Sequence, residues 1–278
     1  MFSRRTVLTG LAASALTGCG GRQQQATASG AYYPYPAAPR PPDRASQGLD
    51  AVIDISHGVG VSDFQAVRAS GILAVIHKAT EGGDYVDAGC AVRRPQAEGA
   101  GLLWGAYHFG TRQYSGAKQA AFFLAIVRPG PKTLMALDLE PNDGNPRNTM
   151  TLTHAEDFVR AIYQATGRLP VIYTHPTWAN GGRYGRAGQT LGRPIEPGSL
   201  LSRCDLWLAD YHDEPEVPNA WAGRGWKLWQ YSANESVRDA AYGTTSRAIN
   251  GVDFCDRNLF NGNTSDLYKF WGAGTARA

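Results

Sequence analysis

Residues 102–140 read LLWGAYHFGTRQYSGAKQAAFFLAIVRPGPKTLMALDLE, and the class of fold is already visible in them. The stretch begins and ends with short apolar runs, Leu102–Phe109 and Thr133–Leu139, which are typical of buried strands. Between them, Ser115–Val127 carries apolar residues three and four positions apart, the spacing of an amphipathic helix. A buried strand, a helix and a second buried strand together indicate a β/α unit of a parallel sheet.

The same alternation extends along the chain in both directions. One landmark from each of five predicted strands lies 24, 30, 30 and 35 residues from the one before, at Asp54, Lys78, His108, Asp138 and Tyr173. Beyond the fifth strand the helical periodicity fades, although apolar runs continue. Eight strands are predicted in all, at Ala51–Ile55, Ile72–His77, Leu102–Phe109, Thr133–Leu139, Leu169–Thr174, Asp205–Tyr211, Lys227–Tyr231 and near Gly251–Phe254.

This pattern predicts an α/β fold, an irregular TIM-like (β/α) barrel. About five β/α units are expected, followed by three strands with poor helices. An open, doubly wound sheet is the alternative, but the first strand lacks the GxGxxG turn typical of such sheets. Within the units, Ser62 and Thr153 are expected to cap helices. Pro95 is expected to shorten or break the helix near Ala91–Glu98.

The N-terminal segment differs in composition from the rest of the chain. Residues 1–19 are predicted to be a signal peptide, because Arg4 and Arg5 precede a short apolar stretch and Leu16–Cys19 resembles a bacterial lipobox. Cys19 would then be lipidated; an ordinary secretory signal is the alternative. Residues 20–47 are rich in Pro, Gln and Ala and predict a disordered tether. The barrel domain is expected to span residues 48–278.

Charge and cysteine content exclude some classes of protein. The formal net charge is +3, and removing Arg4 and Arg5 leaves 3 − 2 = +1, so no basic excess points to nucleic acid. After Cys19, three cysteines remain (Cys90, Cys204 and Cys255), and export permits one disulfide whose pairing stays open. No Cys/His spacing indicates a metal site, and no metal or cofactor is predicted.

Acidic and aromatic side chains dominate the predicted carboxyl ends of the strands, where reactive groups gather in such barrels. Asp138 and Glu140 stand at i and i+2 of a strand and therefore point to one face, about 6.6 Å apart along the chain. Paired carboxylates suit glycoside hydrolysis, which needs a protonated acid and a charged partner. The alternatives are two acids entering a polar loop, or a metal site. His108 is either a general base or a structural histidine.

Nine segments in order resemble glycoside hydrolase family 25, the muramidase (lysozyme) family. They are AVIDISHG, DFQAVRASG, IHKATEGGDYVD, GAYHF, LDLE, VIYT, LWLADY, LWQYS and CDRNLFNG, and the resemblance covers roughly Leu49 to Gly262. Two features depart from the family pattern. His77 stands where the family more often has an apolar residue, and the Gly/Arg-rich insertion from about Trp178 to Leu200 is expected to reshape one rim of the groove.

The resemblance implies roles for particular residues. Glu140 matches the general acid, Asp138 the acid that steadies the N-acetyl group or the charged intermediate, and Asp54 the acid on the floor of the site. Asp256 fits the closing acid, with Asp253 as the competing assignment. Three tyrosines match family positions that line the sugar groove: Tyr107, Tyr173 and Tyr211. Two further candidates for the groove are Trp229 and Gln230.

The implied activity is hydrolysis of the β-1,4 bond between N-acetylmuramic acid and N-acetylglucosamine in peptidoglycan. A non-catalytic peptidoglycan-binding lipoprotein is the main alternative, and another glycosidase or a chitinase on a similar barrel is a further one. The expected partners are glycan strands and a membrane holding a lipid on Cys19, with the protein a monomer in the cell envelope. Gly20 favours the outer membrane, since aspartate there is associated with inner-membrane retention. Retention or inversion at the anomeric carbon stays open.

Overall fold

The structure, a computed structural model, describes residues 47–235, 248–253 and 255–273. Its strands are β1 (Leu49–Ile55), β2 (Ala74–Glu81), β3 (Tyr85–Val86), β4 (Leu103–Phe109), β5 (Thr133–Asp138), β6 (Val171–Thr174), β7 (Leu206–Ala209), β8 (Leu228–Glu235) and β9 (Cys255–Phe260). Its helices are α1 (Phe64–Ala69), α2 (Ala88–Gly99), α3 (Gly116–Val127), α4 (Leu152–Thr166), α5 (Pro176–Ala179), α6 (Leu200–Arg203) and α7 (Thr264–Ala273). No helix in these ranges is long and apolar enough to cross a membrane.

Eight of the strands close into a barrel, which confirms the predicted irregular TIM-like fold. The strands β1, β2, β4, β5, β6, β7 and β8 pair in parallel in that order. The ring closes through β9, which is antiparallel to both β8 and β1. The short β3 forms a hairpin with β2 outside this ring. Because these pairings form an unbroken ring of eight strands, the open doubly wound sheet is excluded.

The closing strand differs from the prediction in position and direction. It was expected near Gly251–Phe254, but it lies at Cys255–Phe260 and runs opposite to its neighbours. Val252 instead forms an isolated bridge with Val61, so this segment is a loop held against the chain that follows β1. Phe254 itself lies outside the described residues. Because β9 is reversed, its first residues lie at the carboxyl ends of the parallel strands.

The helices begin and end close to the predicted positions, with three corrections. α2 continues through Pro95, because Asp87 caps its first turn and Cys90 and Ala97 anchor one face in the core. Thr151, and not Thr153, caps α4 by accepting a hydrogen bond from the backbone N–H of His154. α1 is capped by Asp63, one residue after the predicted Ser62.

The helix α7, which closes the bottom of the barrel, was not predicted from the sequence. The indole Nε1 of Trp271 donates to the backbone oxygen of Trp104 at 2.8 Å, near the start of β4. Trp271 and Leu267 are fully buried and belong to the apolar cluster that fills the barrel interior. The other cluster lies between the strands and helices α1 to α4. One end of the barrel is thus closed, and the carboxyl ends of the strands form the open end.

The three cysteines of the barrel are buried free thiols, so the disulfide that export would permit is absent from the described part of the chain. Burial raises the pKa of Cys90 to about 12 and that of Cys255 to about 12. Burial also raises the pKa of Cys204 well above its usual value. Thiols with such pKa values stay protonated at neutral pH and behave as small apolar core residues.

Candidate active site

Two of the predicted acids face each other where the barrel closes. Asp54 on β1 and Asp256 on β9 are direct partners across the antiparallel pair, so their side chains lie on the same face. Both are buried. Asp253, the competing assignment, lies on the preceding loop, where its exposed carboxylate stands over Gly60. The register therefore brings Asp256 to Asp54, and does not bring Asp253 there.

The side chain of Gln230 connects Asp54 to two of the predicted tyrosines. Its Nε2 donates to Oδ2 of Asp54 at 2.8 Å. Its Oε1 accepts hydrogen bonds from the hydroxyls of Tyr173 and Tyr211, each at 2.8 Å. Gln230 is buried, and both ends of its amide are engaged by protein groups. It therefore holds its neighbours in place, which is a different role from the sugar contact proposed by analogy.

Asn258 is a second support for Asp54 and was not among the site residues predicted from the sequence. Its Nδ2 donates to Oδ2 of Asp54 at 3.0 Å, and its Oδ1 accepts from the indole of Trp207 at 2.7 Å. Asn258 is two residues after Asp256 on β9, so both point to the same face. The i, i+2 spacing from Asp256 could have indicated Asn258 in the sequence. Its position beside Asp54 follows only from the pairing of β9 with β1.

Asp138 and Glu140 lie at the carboxyl end of β5. Asp138 is the last residue of the strand, is buried, and stands between Phe109 on β4 and Tyr173 on β6 in the sheet register. The backbone N–H of Leu139 donates to the oxygen of Tyr173 at 2.9 Å, so the extended backbone continues one residue past the strand. Leu139 packs in the outer cluster. Alternation then directs the half-buried Glu140 to the side of Asp138.

Not all of the residues predicted to line the groove lie at the open end of the barrel. Tyr107 is fully buried inside, with its ring edge-on to Trp207 at 6.3 Å. Tyr173 is also buried and packs edge-on against Trp207, whereas Tyr211 is half-buried. Trp229 points to the opposite face of β8, into the outer cluster, and its Nε1 donates to the backbone oxygen of Asp210 at 2.6 Å. Trp229 is therefore separated from the acids by its own strand.

The chain that brings these four acids to one end of a closed barrel is similar to known proteins. The family model described as Glycosyl hydrolases family 25 matches residues 53–240. The chain belongs to glycoside hydrolase family 25. It is 30% identical over 226 residues to Lysozyme M1 of Streptomyces globisporus, covering 77% of this chain and 69% of that protein. It is also 30% identical over 219 residues to the N,O-diacetylmuramidase of Chalaropsis sp, covering 71% and 92%.

A solved structure supports the same assignment. The family 25 lysozyme from Aspergillus fumigatus matches with a TM-score of 0.63 and 28% identity, covering 81% of this chain and 99% of that one. This family 25 protein is accordingly a glycoside hydrolase, and peptidoglycan is its substrate. The family and its relatives support muramidase activity, and they do not favour the non-catalytic alternative.

His108 of this family 25 enzyme is built into the core. Its Nε2 bonds with Oε1 of Gln119 at 3.0 Å and its Nδ1 with the hydroxyl of Thr80 at 2.8 Å. Because a carbonyl oxygen can only accept, Nε2 carries the proton and Nδ1 accepts from Thr80. The ring stacks on Phe158 at 4.9 Å. Both nitrogens are occupied on the helix side of the sheet, which supports the structural interpretation of His108.

His77, the departure from the family pattern, is also held from several sides. Its Nδ1 donates to the backbone oxygen of Lys78 at 2.7 Å, and its ring stacks on Trp104. Burial lowers the pKa of His77 to about 4, partly opposed by that backbone bond and by Asp87. Burial likewise lowers the pKa of His108 to about 4. Both rings are therefore neutral at neutral pH.

Acidification is expected to destabilise the fold through these two histidines. In the unfolded chain both protonate as the pH falls below about 6.5, while in the fold they resist protonation until about pH 4. The free energy of unfolding is therefore fully present above pH 6.5 and falls toward pH 4, by roughly 3 kcal/mol per histidine. Urea unfolding at pH 7.5 and 4.5 measures the loss. His108→Gln is expected to show a smaller loss than the wild type.

Among the described residues, no group of three or more His, Cys, Asp or Glu side chains could hold a metal ion. Asp54 engages the side-chain amides of Gln230 and Asn258, and His77 and His108 lie in the core. Ordinary carboxylate chemistry is the chemistry that these residues can supply.

Proposed function

We propose that this protein is an exported muramidase that hydrolyses the β-1,4 bond from N-acetylmuramic acid to N-acetylglucosamine with Glu140 as the general acid. The single observation that carries the proposal is the gathering of Asp54, Asp256, Asp138 and Glu140 at the carboxyl ends of the strands. Family membership and the name of the relative from Chalaropsis support this bond as the target.

The four acids are assigned different tasks. Glu140 is half-buried beyond the end of β5, where it can approach the glycosidic oxygen and donate a proton to it. Asp138 is buried beside it and is assigned to the substrate's N-acetyl group or to the positive charge that develops on the sugar. Asp54 and Asp256 are assigned to the floor of the site, where Gln230 and Asn258 fix Asp54.

Of the three predicted tyrosines, one is assigned to the groove itself. Tyr211 is the most exposed and is assigned to direct contact with a sugar ring, while the buried Tyr107 and Tyr173 pack on Trp207 in the barrel interior beneath the groove. Gln230 is kept as a support for these groups. Trp229 is left out of the groove, because it faces the outer cluster.

Export and membrane anchoring are proposed from the N-terminal sequence. The signal peptide (1–19), the lipidated Cys19 and most of the tether (20–47) lie outside the described residues. Peptidoglycan lies beyond the cytoplasmic membrane, so an enzyme that cuts it has to be exported. At about 3.1 Å per residue, the tether could carry a monomeric barrel domain several tens of ångströms from the outer membrane toward the wall. No interaction with nucleic acid is proposed.

The proposed activity is tested with the protein from Gln47 onward and purified peptidoglycan. New reducing ends at muramic acid, identified by mass spectrometry, are the expected result. Reducing ends at N-acetylglucosamine would identify a different glycosidase. Intact glycan that still sediments with the protein would restore the binding alternative.

The proposed anchor has its own test. Full-length protein expressed in a bacterial host is expected to incorporate labelled palmitate and to fractionate with the membrane. Cys19→Ala is expected to lose the label and to leave the membrane fraction. Equal labelling of both proteins would contradict lipidation at Cys19.

A further inference from the structure

Three loops at the open end of the barrel are joined into one rim. They follow β4, β5 and β6 and span residues 110–115, 141–149 and 175–199. The first two are tied by hydrogen bonds to Asn148, whose backbone oxygen accepts from the N–H of Arg112 at 3.1 Å and whose side chain accepts from Gln113 at 2.8 Å. The third is tied to the second by Gln189, whose Nε2 donates to the oxygen of Pro146 at 2.8 Å.

The insertion after β6 lies directly against the residue that follows Glu140. Gly185 has a φ of +77°, and a Cβ there would stand 2.9 Å from a side-chain atom of Pro141 and 2.7 Å from Oδ1 of Asp143. The next backbone N–H, that of Arg186, donates to the same Oδ1 at 2.8 Å. Only glycine allows this close approach without strain. Arg186 is thereby fixed beside the loop that carries the proposed general acid.

A ring stack fixes the insertion from its other side. Tyr184 lies flat on His175 with 3.9 Å between the ring centres, and His175 is the residue that follows β6. Tyr184 also forms an isolated bridge with Gln189 within the insertion. The backbone around residues 183–186 is therefore held to two strand ends, so the side chains of Arg183 and Arg186 project from a fixed base.

The rim carries five exposed arginines, of which Arg193 pairs with Glu156 at 3.4 Å. We call the other four the arginine rim: Arg112, Arg147, Arg183 and Arg186. In the part of the chain that the structure describes, none of their guanidinium groups forms an ion pair with a carboxylate. Arg183 uses one N–H on the backbone oxygen of Gly188 at 3.0 Å and keeps four other donors. The same loops carry the exposed carboxylates of Asp143 and Glu196, so four guanidinium groups without an ion pair leave the rim with a positive excess. Such a rim attracts anions, and its guanidinium groups match carboxylates in particular.

We propose that the arginine rim binds the free carboxylates of the stem peptides that branch from the muramic acid residues of the substrate. The inference rests on the proposed muramidase function, because it places the glycan in the groove between the acids. A glycan seated there carries its lactyl-linked peptides outward, toward one wall of the groove. The rim is the wall formed by the loops after β4, β5 and β6, and its charge is opposite to that of the peptides.

The test compares two preparations of sacculi free of teichoic acid. One is unmodified, and in the other the carboxylates have been converted to amides with a carbodiimide and ammonia. Arg183→Gln/Arg186→Gln is expected to raise KM for unmodified sacculi about tenfold with kcat little changed. On amidated sacculi, the wild type and this variant are expected to have the same KM.

A matched control removes two positive charges from the opposite end of the barrel. Lys132 and Arg203 are exposed and precede β5 and β7, so Lys132→Gln/Arg203→Gln is expected to leave KM unchanged. Equal losses in both double variants, or a loss that persists on amidated sacculi, would overturn the inference. If the wild type cuts neither preparation, the proposed function fails. Sedimentation of the same proteins with both preparations then tests the rim by itself. Equal binding of the wild type and of Arg183→Gln/Arg186→Gln to unmodified sacculi would overturn the inference.

Discussion

Replacing Glu140 by glutamine is expected to lower kcat on peptidoglycan by about three to four orders of magnitude. Glutamine has nearly the same shape, but its amide has no proton to give to the glycosidic oxygen as the bond breaks. The residue is half-buried and lies past the end of β5, so the substitution disturbs no core packing. The expected loss is therefore chemical, with folding unaffected.

Release of reducing-end muramic acid measures the effect, and two comparisons make it specific. Glu98→Gln, at the end of α2 that precedes β4 and paired with Arg94 at 3.0 Å, removes an exposed carboxylate from the closed end of the barrel and is expected to keep full activity. Sedimentation of Glu140→Gln with sacculi is expected to match the wild type, because the groove is intact. Lysis that persists in Glu140→Gln would show that another group is the acid.

Local sequence signals predicted most of the barrel because each β/α unit carries its own signal. The apolar run 133–139 and the helical stripe before it are contained within about 25 residues, so periodicity alone identifies them. The reversed direction of β9 has no such local signal, since it depends on how the last strand meets β1. The helix α7 was missed for a similar reason: its Trp271 gains stability only when the barrel interior exists to receive it.

The site shows the same division between local and long-range information. The spacing of Asp138 and Glu140 is visible in the sequence, and the family resemblance identified Asp54 and Asp256. The supports of Asp54 were not visible, since Gln230 and Asn258 lie 176 and 204 residues away from it along the chain. A resemblance to a family indicates which positions of the chain match the family's site residues. It does not reveal that one amide connects two tyrosines and an aspartate, which only three-dimensional contacts establish.

Gln230→Leu is expected to lower kcat about a hundredfold, the second largest effect that the structure predicts. Leucine has a similar volume but removes the hydrogen bonds to Asp54, Tyr173 and Tyr211 at once. Without this amide, the carboxylate and both rings can shift by the ångström or so that costs this much in rate. A loss of roughly 3 kcal/mol in the free energy of unfolding should accompany it. Peptidoglycan kinetics and urea unfolding measure the two effects.

Two variants separate positioning from general damage to the fold. Gln230→Glu keeps an acceptor for both tyrosines but sets a carboxylate against Asp54, and a protonated Glu could donate to Asp54 as the amide does. Its activity relative to the wild type should therefore recover on acidification, which no loss of packing explains. Trp229→Phe removes a hydrogen bond of 2.6 Å on the opposite face of the same strand and should lower stability with kcat unchanged. If Trp229→Phe lowered kcat as much as Gln230→Leu does, any disturbance of β8 would lower activity. The positioning role of the Gln230 amide would then be wrong.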